Sequence, residues 1–306
     1  MDRKDLSPSM TGPTKVAVLM TTYNGAPWIE EQISSIMVQQ QVEVDLFISD
    51  DQSHDGCYET LQSYRSKYKS ITLIRPPERL GSAGRNFFYL FKQLAGDLGG
   101  YDFVALADQD DIWMPDKLKS ALEQLDAGDA DGLSTNVEAF WSNRSRRKLI
   151  RKDQPQTQFD YLFESPGPGC TFVVRTTLFE QFQQHLLERY YDLSSEVHYH
   201  DWLLYAYARS RGSRWLISNQ ARLLYRQHER NELGANAGWR ALTKRLSVIN
   251  TGAYRTQVEA VHKFCYGDRQ GPNLDGYWSR IKLIPHTRRR LRERLFLAMV
   301  FVLGLY

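Results

Sequence analysis

An α/β fold is predicted for this 306-residue chain: a mostly parallel central sheet flanked by helices, with a helical C-terminal extension. Three observations carry that expectation. From Lys15 onward, short β-type runs alternate with helical patterns, as in a parallel sheet whose strands are joined by helices. Three polar loops, TTYNG, SDDQS and ADQDD, follow three of those runs, and in open α/β sheets ligands gather at the carboxyl ends of strands. Residues 235–306 turn helical and basic.

The elements follow in order. Residues 16–20 make the first strand, and after TTYNG the residues Ile29, Ile33, Ile36 and Met37 recur at helical spacing, with Pro27 where a first turn tolerates proline. Residues 42–49 are the second strand. DDQSHDG is a polar turn, and Tyr58, Leu61 and Tyr64 mark the next helix. Residues 71–74 form a third strand, residues 81–84 open a helix through Phe87, Leu90 and Leu94, and residues 101–107 form an apolar fourth strand that stops abruptly at DQDD. Further strands are expected at 133–140, 171–175 and 223–225, with helices near 178–187 and 202–208.

Composition narrows the function. Charged residues at 25% and hydrophobic ones at 42% suit a soluble globular body, and a net charge of +3 does not suggest a nucleic-acid partner. Cys57, Cys170 and Cys265 lack the spacing of a zinc site or a disulfide framework, which fits a reducing cytoplasm. Residues 1–14 have no apolar signal region and read as a disordered lead-in. No run reaches the roughly 18 apolar residues of a membrane span.

Chemistry concentrates in carboxylates. Asp108, Asp110 and Asp111 stand together with no lysine or arginine between them, so a hard divalent ion beside phosphate oxygens would relieve their repulsion. The alternative is that they cap the helix that begins near Pro115. Asp50, Asp51 and Asp55 either accept from a ribose hydroxyl or base N–H, or form an Asx-type turn.

The series LMTTYNG, ISDDQSHDG, GRNF and ADQDDIWMPDKL resembles the inverting glycosyltransferases of family 2, and GPGCTFVVR, HDWLL and YRQHERNELG resemble their bacterial rhamnosyltransferase-like branch. The resemblance covers residues 15–234 and implies a GT-A (Rossmann-like) catalytic domain there, with residues 235–306 as the extension. It also implies that Thr21, Tyr23 and Asp51 hold a pyrimidine, Asp108 the ribose side and Asp110 a Mn²⁺ or Mg²⁺ ion. Arg85 is placed to approach base or phosphate, with a surface salt bridge as the alternative. Asp201 matches the general base, although local chemistry also allows it to cap the helix at Trp202. His200 beside it would orient the site, and Asp111 and Gly169 would meet donor or acceptor sugar. His228 would complete the metal site, since imidazole serves Mn²⁺ beside carboxylate and phosphate, and the alternative is a hydrogen-bonded structural histidine. Arg226 and Arg230 could contact phosphate, while Trp113 reads as core.

The expected reaction moves a sugar from a nucleotide-sugar donor to a glycan or a lipid-diphosphate-linked acceptor, as in bacterial surface polysaccharide synthesis. dTDP-rhamnose is the first donor and UDP-glucose or UDP-galactose the second. A metal-dependent nucleotidyltransferase is the rival enzyme, but TTYNG lacks the Gly-rich, cationic triphosphate loop it would need. A silent carbohydrate- or membrane-binding scaffold is the rival outside catalysis. The basic stretch 144–152 can attract phosphates and reads either as a solvated loop or as a contact for anionic lipid headgroups or a lipid-diphosphate acceptor. The five arginines of 288–294, followed by LFLAMVFVLGLY, suggest either a peripheral anchor on the inner face of the cytoplasmic membrane or packing on protein.

Overall fold

The computed structural model describes residues 12–141, 146–189, 198–228, 252–267 and 269–303. The expected lead-in at residues 1–14 falls largely outside them; the chain is already in a strand by Thr14. In order the elements are β1 (Thr14–Thr22), α1 (Ile29–Met37), β2 (Val42–Asp50), α2 (Cys57–Lys67), β3 (Ile71–Ile74), α3 (Ala83–Gln93), β4 (Phe103–Ala107), β5 (Ile112–Trp113), α4 (Lys117–Ala127), β6 (Gly132–Thr135) and β7 (Val137–Trp141). There follow β8 (Arg147–Ile150), β9 (Val173–Arg175), α5 (Thr176–Arg189), α6 (His200–Ser210), β10 (Trp215–Ser218), β11 (Leu223–Gln227), α7 (Ala253–Tyr266), α8 (Tyr277–Leu283) and α9 (Leu291–Val302).

Seven strands form the central sheet in the order β10-β6-β9-β4-β1-β2-β3, all parallel except β9, which runs antiparallel to both β4 and β6. Strand β1 is central, and a parallel strand covered on both faces must be apolar throughout. Its alternation divides the core accordingly. Ala17 and Leu19 pack with α3, α5 and α6, while Val16, Val18 and Met20 pack with α1, α2 and α4. Helix α3 buries Phe87, Phe88, Leu90 and Phe91 and begins at Ser82, whose hydroxyl accepts from the Arg85 N–H.

The expected strand 133–140 is two strands. β6 stays in the central sheet, whereas β7 joins β5, β11 and β8 in a second sheet, of order β5-β11-β7-β8. Asn136 makes the switch: its side chain donates to the Asn219 carbonyl and accepts from the Lys152 and Asp153 N–H groups, polar ties that hold the two sheets together at the break. The stretch read as a basic loop is, over Arg147–Ile150, the edge strand β8, paired with β7. Lys and Arg suit such an edge, since they stay solvated and deter further pairing. Asp108, Asp110 and Asp111 do not cap α4, whose N-cap position is Asp116.

The C-terminal helices share the core on one face of the central sheet: Val258, Val261 and Phe264 of α7 and Leu297, Val300 and Phe301 of α9 pack in the cluster of α3, α5 and α6. Arg289, read as part of a membrane-facing run, is buried. It donates to Asp160, to the Ser165 carbonyl and, through its backbone N–H, to Glu164. Asp160 in turn accepts from Tyr205 and Arg209, so its buried charge is compensated from three sides.

Candidate active site

The carboxyl ends of β1, β2 and β4 open onto one cleft of about 1640 Å³, lined by Thr21, Tyr23, Asp51, Asp108, Asp110, Gly169, His200, Asp201 and His228. Arg85 lies outside that wall, exposed on the outer side of α3. Its neighbours give GRNF its local role. Asn86 is buried, accepts from Ser49 and donates to the carbonyls of Ser49 and Thr22, joining the ends of β1 and β2. A Cβ at Gly84 would collide with the His198 carbonyl, so only glycine lets the segment before α6 approach.

Asp51 is held rather than free: its two carboxylate oxygens accept from the N–H groups of Leu80 and Gly81, which pins the loop before α3 against the cleft. The turn reading applies to its neighbours. Asp50 accepts from the Ser53 N–H and Asp55 from the Cys57 N–H. The first-strand and fourth-strand loops are joined by Gln109, whose amide accepts from the Tyr23 N–H (2.9 Å) and donates to the Tyr23 carbonyl (3.1 Å). A Cβ at Gly25 would strike that amide. An amide between two aspartates was a readable signal for this tie. Gln109→Ala removes both bonds, and donor KM is expected to rise about tenfold, the equivalent of roughly 1–2 kcal/mol of positioning; steady-state kinetics at saturating acceptor measures it.

Asp110 and His228, the two residues expected to hold a metal, meet at the cleft wall. His228 Nε2 lies 2.7 Å from Asp110 Oδ2, and the ring is stacked on Trp28 at 4.0 Å with planes 8° apart. An oxygen and a nitrogen donor thus converge at the cleft wall, with the imidazole orientation fixed from behind. Asp111 sits beneath, fully buried, with Oδ1 accepting from the Arg226 N–H. Burial, then Asp110 and Asp108, push its carboxyl well above the usual range. With Asp108 and Cys170 it forms a tight group, all ligand atoms within 4.8 Å. Burial and Asp111 hold the Cys170 thiol well above its ordinary value, which leaves it a poor partner for a hard ion.

Relief of the acidic cluster is partly internal. Lys117 is buried below it, its amine 3.5 Å from the Trp113 ring centre, and burial pushes that amine down to about 7. Arg226 is turned away from the cleft, donating to the Asp110 carbonyl and pairing with Glu31 at 2.6 Å. Trp113 is core, as expected. Arg230 lies outside the described residues.

Asp201 is the second residue of α6, not its cap. Its Oδ1 accepts from the Trp202 N–H (2.7 Å) and its Oδ2 from the Ser165 hydroxyl (3.2 Å). Burial raises its carboxyl to about 6, against the hydrogen bonds and nearby Lys152, which lower it. His200 is stacked on Phe87 at 3.8 Å, and burial pulls its imidazole down to about 3. It is a neutral wall. Gly169 packs against both, and a Cβ there would press on Asp201 and His200. Sequence reading missed Ser165 and Trp28, whose roles arise only from tertiary contact.

The sequence profile described as glycosyl transferase family 2 matches residues 17–183. The dTDP-rhamnosyl transferase RfbG of Shigella flexneri is 36% identical over 293 residues, 94% of this chain and 100% of that protein. The UDP-Glc:alpha-D-GlcNAc-diphosphoundecaprenol beta-1,3-glucosyltransferase WfgD of Escherichia coli is 27% identical over 169 residues, 55% of this chain and 62% of that protein. Among solved structures, S. aureus TarS 1-349 superposes with a TM-score of 0.54 at 16% identity, over 96% of this chain and 93% of that one. The mannosyltransferase PcManGT from Pyrobaculum calidifontis, in complex with GDP-Man and Mn2+, gives 0.53 at 18% identity, over 99% and 84%. These structural likenesses speak for the GT-A fold. With a profile spanning more than half its length and a relative matching nearly all of it, the chain belongs to glycosyl transferase family 2 and is a glycosyltransferase.

Proposed function

We propose that the enzyme transfers rhamnose from dTDP-rhamnose, with inversion, to a glycan hydroxyl during bacterial surface polysaccharide synthesis. The observation that carries this is the meeting of Asp51, Asp108, Asp110, His228 and Asp201 around one cleft, in a chain similar from end to end to a dTDP-rhamnosyl transferase. Thr21, Tyr23 and Asp51 face the base, and Asp108 the ribose. Asp110 and His228 would hold Mn²⁺ or Mg²⁺, which supplies charge neutralisation for the departing diphosphate. Asp201 takes the proton of the acceptor hydroxyl as that oxygen attacks C1 and the nucleoside diphosphate leaves.

The test is turnover with Mn²⁺ and a panel of nucleotide sugars. Release of dTDP from dTDP-rhamnose is expected, together with a product of inverted anomeric configuration by NMR. Turnover of UDP-glucose or UDP-galactose alone would replace the donor, and release of pyrophosphate would replace the reaction with nucleotidyl transfer.

The enzyme is further proposed to work at the inner face of the cytoplasmic membrane. Among the described residues no helix is long and apolar enough to cross a membrane. Helix α9, however, buries one side and exposes Leu291, Leu295, Met299 and Val302 on the other, and Trp278 of α8 is 73% exposed. Arg292 and Lys282 are exposed on the same two helices, a combination that suits an anionic bilayer surface. Flotation with phosphatidylglycerol vesicles should carry the wild-type protein upward, and Leu295→Glu/Met299→Glu should stay at the bottom. A wild type that does not float rejects the membrane contact.

A further inference from the structure

The carboxylate read as the base shares its hydroxyl partner with a backbone carbonyl. Helix α6 carries Asp201, Tyr205 and Arg209 four residues apart, on one face, and residues 160–165 lie along that face. Tyr205 and Arg209 donate to Asp160, and the Trp202 indole donates to the Tyr161 carbonyl (2.7 Å). Tyr254 of α7 donates to the Phe163 carbonyl (2.9 Å). Arg289, on the approach to α9, completes the anchorage: its backbone N–H reaches Glu164 (2.6 Å) and its guanidinium the Ser165 carbonyl (2.8 Å). The backbone under Ser165 is thereby fixed from three parts of the fold, and its hydroxyl keeps the rotation about Cβ–Oγ.

That hydroxyl has one proton and two acceptors. Its Oγ lies 2.8 Å from the Gly167 carbonyl and 3.2 Å from Asp201 Oδ2, so it donates to one of them at a time. The turn that carries Gly167 is held close: a Cβ at Gly169 would lie 2.9 Å from Asp201 Cβ. An ionised carboxylate is a stronger acceptor than a backbone carbonyl, and a protonated one becomes a donor. The preferred partner of the serine proton therefore changes when Asp201 gains a proton.

We infer that Ser165 is a positioning residue for the base, its hydroxyl following the protonation state of Asp201. While Asp201 is ionised, the serine proton points to Oδ2 and holds that oxygen in place, as the Trp202 N–H holds Oδ1. When the acceptor oxygen attacks C1, the acceptor's proton passes to Oδ2. The new O–H turns to Ser165 Oγ, and the serine proton turns to the Gly167 carbonyl. The serine O–H bond stays intact, and the acceptor's proton is the one transferred. The role in catalysis rests on the reading of Asp201 as base; the exchange of hydrogen bonds does not.

Ser165 is half-buried, so Ser165→Ala removes the hydroxyl with little change of packing. It should lower kcat about tenfold, the loss of one hydrogen bond to a charged group, and leave donor and acceptor KM unaltered. The midpoint of the kcat/KM profile should move upward from that of the wild type, because a bond that favours the ionised carboxyl is gone. The other charged or titratable groups on that side of the cleft, His198, His200, Lys152, Glu164, Tyr254, Arg288 and Glu293, are the same in both proteins. Thermal unfolding supplies a readout without turnover. Burial raises the Asp201 carboxyl to about 6, so its contribution to stability is lost as pH rises through that value, and losing the serine bond deepens the loss. The Tm deficit of Ser165→Ala should accordingly be larger at pH 8 than at pH 5. In an Asp201→Asn background, whose neutral amide can donate to Ser165 Oγ at either pH, the deficit should be equal at the two. A wild-type kcat, an unmoved midpoint, or a Tm deficit that does not grow with pH overturns the inference. If Asp201→Asn turns over at a near-normal rate, the base reading fails instead, and the comparison of pH 5 with pH 8 still decides whether the serine follows the charge on Asp201.

Discussion

Asp201→Asn is expected to lower kcat by about 10²–10⁴ while sparing donor affinity, because it removes the proton acceptor and keeps the side chain's shape. Its Oδ1 can still accept from Trp202, and the partner position of Ser165 is preserved. The wild-type rate should also report this group directly. A carboxyl raised to about 6 is a base only when ionised, so kcat/KM should climb with pH through a midpoint at about 6 and level off roughly a unit higher, and the asparagine variant should lose that acidic limb. Stability moves the other way. The raised carboxyl favours the fold below its ordinary value of 3.8, and that contribution is lost as pH rises through about 6, so at pH 8 the native protein carries the cost of a buried charge. The neutral asparagine avoids it, and its Tm at pH 8 should equal or exceed that of the wild type. A near-normal rate would remove Asp201 from the role of base, and a large fall in Tm would make it a structural residue.

Asp110→Ala should weaken donor binding in Mn²⁺ by about a hundredfold or more, since losing a direct ligand costs at least what outer-shell losses cost. The specific readout is metal linkage: titration of dTDP with and without Mn²⁺ should show a gain in the wild type and none in the variant. His228→Ala should reduce the same gain to a lesser degree, because the imidazole is one of two donors at that wall. Removing Asp110 also takes one negative neighbour from Asp111, so the fold should tolerate the change. An undiminished metal-linked gain in the alanine variant would exclude Asp110 as a ligand.

The parallel half of the fold was legible because its signal is local. Fully apolar runs such as residues 16–20 can be covered on both faces only in a parallel sheet, and each ended at a polar loop of the cleft. The second half was harder, since strand direction and sheet membership are tertiary facts. Nothing in residues 133–140 marks Asn136 as the point where the chain leaves one sheet for another, and β9 runs antiparallel for reasons of packing, not composition. The site was legible where residues face the cleft by backbone register, as at Thr21, Asp51 and Asp110. It was not legible where one side chain is turned by another. Arg226 pairs with Glu31, nearly two hundred positions away, and Arg289 is drawn into the protein by Asp160 and Glu164. An arginine run reads as solvated until its acidic partners are known, and here those partners join the C-terminal segment to the loop that carries Ser165.

Crystals grown with Mn²⁺ and dTDP and measured at an energy where manganese scatters anomalously would test the metal assignment on which the reaction depends. A single anomalous peak is expected between Asp110, His228 and the diphosphate, on the side of the cleft that also holds Asp201. A peak within the Asp108–Asp111–Cys170 group, or no peak while dTDP is bound, would contradict it.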